Sequence, residues 1–269
     1  MLRLFNNIRR NHLATNRLGK YFWYAVGEIL LVVVGILIAL QVNNWNEERV
    51  EARQIKQYVL SLVDDLRNDM EMLEPVGKQI SVLIDKSNRM ATYVQGKDLD
   101  EISNIDLFLF VRASSYRPFA WNRAALDQLK SSGALRQIRN QHLVKMISEY
   151  DALTQHLDQD YTNDENNIRE AFSFVSGVVN TNYPQRRVIY DYFDDDGDYL
   201  KSGFTASDLY REIKANDLPF LTDDINDIRH VANMYIEIGY FLEARVEIEF
   251  PRLRTNAFEI IKLIDAEYR

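Results

Sequence analysis

The sequence predicts an all-α protein: an N-terminal transmembrane helix, which the heptad pattern allows to run on into a long helix, followed by an antiparallel helical bundle. Three observations carry this. Only 10 Gly and 5 Pro interrupt 269 residues, so helix breakers are scarce. A single largely apolar run spans residues 21–42. Beyond it, apolar residues recur at helical spacing almost to the C-terminus.

The apolar run reads YFWYAVGEILLVVVGILIALQV. At about 1.5 Å per residue it spans about 33 Å, enough for a hydrocarbon core of about 30 Å. A buried core helix is the competing reading, and the flanks argue against it. Tyr21, Phe22, Trp23 and Tyr24 gather at one end and Trp45 follows the other, as amphipathic rings do at membrane interfaces. A cleaved signal peptide would have a shorter apolar core and a small-residue cleavage site; Leu40-Gln41-Val42-Asn43-Asn44-Trp45 offers none. The run therefore reads as an uncleaved signal-anchor.

Orientation follows from the basic residues. Arg3, Arg9, Arg10, Arg17 and Lys20 precede the span without any acidic neighbour, whereas Arg49, Arg53 and Lys56 follow it among Glu47, Glu48 and Glu51. The positive-inside rule puts residues 1–20 in the cytoplasm, residues 21–42 in the cytoplasmic (inner) membrane as a single pass, and residues 43–269 outside, in the periplasm of a two-membrane cell. The outer part carries 39 acidic against 27 basic residues, which disfavours nucleic acid as a partner. The basic N-terminus suits an anionic lipid surface. Cysteine is absent, which excludes disulfides, thiolate metal sites and cysteine nucleophiles.

Glu28 is the one charged residue in the span. A carboxylate at mid-bilayer costs on the order of 2.5–3.5 kcal/mol. Snorkelling to the cytoplasmic headgroups, or protonation, would relieve it; so would a polar contact to a second membrane helix. Gly35 and Ala39 form a small-xxx-small pair on one face, and with Glu28 they are the candidate membrane-helix contact.

After the membrane, Trp45, Ala52, Val59, Leu66 and Leu73 form one stripe and Ile55, Leu62 and Val76 another, interrupted by Glu48 and Asp69. A coiled coil and a bundle helix both fit; the helices that follow favour the bundle. Pro75-Val76-Gly77 is expected to end this helix, and a second runs over 78–94 to Gly96. Asn104 is expected to cap a short helix through Val111, and Ser131-Ser132-Gly133 to close one around 121–130. Asn140 then caps a long helix to about Ser176, with Leu143, Ile147, Tyr150, Leu157, Tyr161, Ile168, Phe172 and Val175 on one stripe. Thr222 is expected to cap a helix with Ile225, Ile228, Ala232, Tyr235, Ile238, Leu242 and Ile248 inward, kinked or stopped near Pro251. Leu253, Ala257, Ile260 and Ile264 mark the last one.

Residues 177–204 are the most irregular, with four of the glycines and prolines, the run Asp194-Asp195-Asp196-Gly197-Asp198, and room for short strands at 188–192. An EF-hand fails there: with Gly197 at loop position 6, Tyr192 falls at position 1 and Gly203 at position 12, so both required oxygen ligands are missing. His12, His142, His156 and His230 lack paired-ligand spacing and read as surface or packing residues. Asp64, Asp65 and Asp69 read as a solvated helix face. No nucleophile elbow, phosphate loop or dinucleotide fingerprint occurs, so no catalytic residue and no cofactor is assigned.

The stretch Ala25–Glu47, AVGEILLVVVGILIALQVNNWNE, closely resembles a family of bacterial single-span membrane proteins carrying a domain of unknown function. Leu126–Tyr150, through Leu129, Ser131-Ser132-Gly133, Leu135, Ile138, Asn140, Leu143 and Tyr150, is similar to it more loosely. The resemblance implies the anchor and a helical body, and no activity. The expectation is a non-enzymatic envelope protein, a binding or scaffolding module for itself or for a membrane or periplasmic partner. The alternative is an envelope hydrolase or ligand-binding domain with its site near loop 177–204.

Overall fold

The computed structural model describes residues 17–112, 116, 120–193 and 203–269, with side chains from residue 21 onward. Among these no strand occurs, and the chain is all-α. It divides into two compact units, one up to Lys56 and one from Gln57 to Arg269.

Helix α1 is Arg17–Val94. Its first part holds the one stretch among the described residues that is long and apolar enough to cross a membrane, and none of that stretch is buried by the protein. Every residue from Tyr21 to Val42 except half-exposed Val26 is exposed. From Val59 onward the same helix turns amphipathic: Val59, Leu62, Leu66, Leu73, Val76, Ile80, Leu83 and Met90 are buried.

The expected stop at Pro75 does not occur, because Pro75 lies inside α1. An interior proline removes one backbone hydrogen bond and costs about 3 kcal/mol. Fully burying a residue of the size of Leu73, Val76 or Ile80 returns about 1.5–3 kcal/mol each, so the packed face outweighs the local preference. Gly96, with φ +74°, follows the end of the helix at Val94.

Short helices α2 (Asn104–Val111), α3 (Ala124–Ser131) and α4 (Ala134–Gln137) follow. Helix α5 is Gln141–Val175, and the Asn140 side chain accepts from Leu143 N at 3.1 Å, as its sequence position predicts. Residues 186–190 form α6, not a strand (Arg186–Tyr190). Helices α7 (Asp208–Ala215) and α8 (Ile225–Ala244) lead through a π-helical turn, Arg245–Glu249, into α9 (Phe250–Tyr268). The cap of α8 is Asp224, which accepts from Asn226 N; Thr222 instead donates to Asp227.

Helices α8 and α9 run antiparallel to α5. The Phe174 and His230 rings meet at 4.6 Å, Arg245 reaches Asp160, and Asn140 donates to Glu267, so numbers rise on one strand of the pair as they fall on the other. Gly239 lets α8 approach α1, since a Cβ there would stand 3.3 Å from Ser87 Cβ. Leu253, Ala257, Ile260 and Ile264 are all buried, as their spacing predicts. Ile248 is not: it is 64% exposed. Pro251 has no N–H and its ring would crowd the carbonyl four residues back, so the chain opens into one π turn. The wider turn shifts the register, and Arg245 takes the inward position instead.

Candidate functional site

Glu28, Gly35 and Ala39 all lie on the exposed apolar part of α1. Spacings of seven and four residues put them within about 20° of one line along the helix. No described residue packs against this line at its glycines: a Cβ placed on Gly27 or Gly35 would meet no atom within 4 Å.

Inside the bundle, three groups of polar side chains are held together. The first begins with Asp69, read from sequence as part of a solvated face. The structure corrects that reading: Asp64 is exposed, but Asp69 is fully buried. Asp69 accepts from Asn122 N (3.0 Å), Asn122 Nδ2 (2.8 Å) and the Tyr150 hydroxyl (2.7 Å), while Asp65 accepts from Ala125 N (3.1 Å). No side chain of its own caps α3, so these α1 carboxylates serve its first turn. Burial, with the Asp69 charge second, pushes the Tyr150 hydroxyl pKa far up. Every Asp69 bond serves the fold.

The second group ties α2 to the region after α5. Asp217 accepts from Ser103 Oγ (2.8 Å), Ile105 N (3.1 Å) and the Tyr183 hydroxyl (2.5 Å). Asn104, expected as the cap of α2, is its first helical residue. Its side chain donates to Asn180 O (2.8 Å) and Tyr183 Oη (2.7 Å) and accepts from Asn180 N (2.9 Å). The cap duty passes to Asp217, from a segment that pattern reading could not pair with it. Beside it, Asp106 receives Tyr93, Tyr210 and Lys214. Burial raises the Tyr93 hydroxyl to about 12, with Asp106 adding to the shift against an opposing Ser103 N–H bond.

The third group has a different character. Arg245, 9% exposed, projects from the π turn between three carboxylates. Its Nη1 lies 2.9 Å from Glu249 Oε2 and 3.2 Å from Asp160 Oδ2, and its Nε lies 3.4 Å from Asp164 Oδ2. The Tyr116 hydroxyl donates to Asp164 at 2.9 Å. His156 Nε2 stands 3.1 Å from Asp160 Oδ2 and 3.5 Å from Glu249 Oε1. Burial raises the Asp164 carboxyl above the usual carboxylate range, against the pull of Arg245 and Tyr116. Sequence reading missed this group because its halves lie about ninety residues apart. The one local signal was His156-x-x-x-Asp160-x-x-x-Asp164, an i, i+4, i+8 line on one face of α5.

Of loop 177–204, Val178, Val179, Tyr183, Ile189 and Phe204 are buried, while Asn182, Pro184, Arg186, Arg187 and Val188 are exposed. The acidic run at 194–198 and His12 lie outside the described residues.

These features define a helical protein with one membrane-length apolar stretch among its described residues and a polar-seamed bundle. The chain belongs to the family described as Family of unknown function (DUF6090), whose model matches residues 28–173. No curated protein and no solved structure matches the chain. The family match runs from Glu28 through most of α5, so it includes the Asp69 group and His156, Asp160 and Asp164, and stops short of Arg245 and Glu249.

Proposed function

We propose that this chain is a membrane-anchored binding or scaffolding module of the cell envelope. Residues 1–20 stay in the cytoplasm, α1 crosses the inner membrane once, and the bundle works outside it. The observation that carries the reading is the exposed apolar stretch Tyr21–Val42, of which none is buried by the described protein and which lipid would cover. The line Glu28–Gly35–Ala39 is where a second membrane helix would pack: small residues admit a close neighbour, and a carboxyl in hydrocarbon gains from a polar partner. The buried polar groups of the bundle serve mainly to fix its helices relative to one another, as a scaffold requires.

Two measurements test this. Protease added from one side of the membrane should digest the bundle only from outside the cytoplasm; digestion from the cytoplasmic side overturns the orientation. Crosslinking in intact membranes should yield a discrete higher-mass species that Glu28→Leu and Gly35→Leu weaken. Recovery of the monomer alone would count against a binding role. The alternative reading, a hydrolase or ligand site at loop 177–204, has no cluster of catalytic or ligand-binding side chains among the described residues to carry it.

A further inference from the structure

We propose that the face of α1 over residues 45–53 pairs in parallel with α1 of a second copy of this chain. The pairing rests on the reading of Tyr21–Val42 as a membrane span, and it names the partner that the Glu28–Gly35–Ala39 line would meet. Residues 43–54 follow the apolar stretch as uninterrupted helix, and every one of them is exposed, Trp45 at 62%.

The charges of this segment are arranged against a lone helix. Its acids are Glu47, Glu48 and Glu51, and its bases are Arg49, Arg53 and Lys56. On one helix, residues three or four apart are neighbours, and opposite charges at those spacings stabilise it. Here no acid stands three or four residues from a base. Like charges do: Glu47 and Glu51, Glu48 and Glu51, Arg49 and Arg53, Arg53 and Lys56. Arg49 leans over the Trp45 ring at 6.0 Å and Glu47 accepts from Asn43, but among the described residues none of the six forms an ion pair.

Opposite charges stand five residues apart instead, Glu48 to Arg53 and Glu51 to Lys56. Five is the offset at which the seventh position of one heptad meets the fifth position of the next on a parallel neighbour. Setting Glu28 and Gly35 at the first heptad position places Trp45 and Ala52 at the fourth, Glu48 at the seventh and Arg53 at the fifth. Of the two pairs this register selects Glu48–Arg53, and it brings them to the same seam as the membrane line. Arg49 falls on the seam itself, beside the partner's Glu48, which answers its charge. The pattern is its own complement. Each helix offers the acid and the base that the other needs, so a second copy satisfies both Glu48–Arg53 pairs at once. Parallel alignment follows from the anchor, because two copies of a single-span chain enter the bilayer in the same orientation.

The chain has no cysteine, so a single introduced one reports its own surroundings. In membranes holding the full-length chain and treated with copper phenanthroline, Ala52→Cys should give a disulfide-linked species of twice the chain's mass. Gln54→Cys, on the outer side of the helix, should not. Glu48→Arg puts a base three residues before Glu51, and Arg53→Glu puts an acid four residues after Arg49, so each single change improves the lone helix. In the pair, each turns two attractions into repulsions. Each should lower the association constant by roughly fivefold or more in sedimentation equilibrium of the detergent-solubilised chain. Combining the two should restore most of it. A double variant no better than the singles overturns the pairing, as does equal disulfide formation at Gln54→Cys. If Ala52→Cys stays unlinked while a lysine-reactive crosslinker still captures a higher-mass species, the scaffold reading stands and this face is not its seam. If neither reagent captures anything, both fall.

Discussion

From Tyr21 to Val42, Leu, Ile and Val side chains point outward on every side of α1, and the single charged group among them is Glu28. Farther along the same helix, Val59, Leu66, Leu73 and Ile80 are buried, and Asp69 is buried with them. One helix thus follows two solvation rules. In the first region apolar groups are stable because the surroundings are expected to be hydrocarbon; in the second they are stable because other helices exclude water. The polar groups differ accordingly. Glu28 meets no partner among the described residues, whereas Asp69, Asn104, Asp164 and Arg245 are buried and held by named neighbours. The described residues supply no polar partner to the first region, while the second region supplies its own.

The comparison predicts opposite responses to truncation. Phe108→Ala removes a fully buried ring and should lower bundle stability by about 3–5 kcal/mol in denaturant titrations of the detergent-solubilised chain. Leu37→Ala, in the exposed stretch, should leave the same transition unmoved. A comparable loss from Leu37→Ala would show that the stretch packs on protein. Next in size is Tyr150→Phe, which leaves Asp69 Oδ2 buried without its donor and should cost about 1–3 kcal/mol. A neutral outcome would mean that water reaches Asp69. Asn140→Ala removes the α5 cap and should cost about 1 kcal/mol.

The same contrast explains how much was legible in the sequence. The all-α class, the caps at Asn140 and Gly133, and the stripe of α9 were readable because each is a local pattern answered by local geometry. Pro75 misled because tertiary burial on both sides outweighed a local breaker. Ile248 misled because the π turn before Pro251 moves the stripe by a residue, and no period-based reading anticipates an inserted residue. Asp69 looked solvated because its donors, Asn122 and Tyr150, lie more than fifty residues away. The cluster at Arg245 was invisible for the same reason. Its carboxylates sit on α5 and on the π turn, and only antiparallel packing brings them together.

The smallest effect concerns Asp164 and has a sign opposite to ordinary acid denaturation. Burial holds its folded-state carboxyl pKa above the usual carboxylate range, more strongly than Arg245 and Tyr116 pull it down. The folded chain therefore takes up this proton at a higher pH than the unfolded chain does. In the window between the unfolded and the raised folded pKa, the native state binds more protons, so this residue's contribution to stability grows as pH falls and is complete below the unfolded value. Asp164→Asn removes the titration while its side-chain oxygen can still accept from Tyr116. Urea unfolding of both chains, run from neutral pH down toward pH 4, should show the wild type gaining on Asp164→Asn across that window. A constant difference would mean that Asp164 titrates alike in both states. A wild type that loses ground as pH falls would mean that the Arg245 ion pair outweighs burial, and that this group is a stabilising seam like that of Asp69.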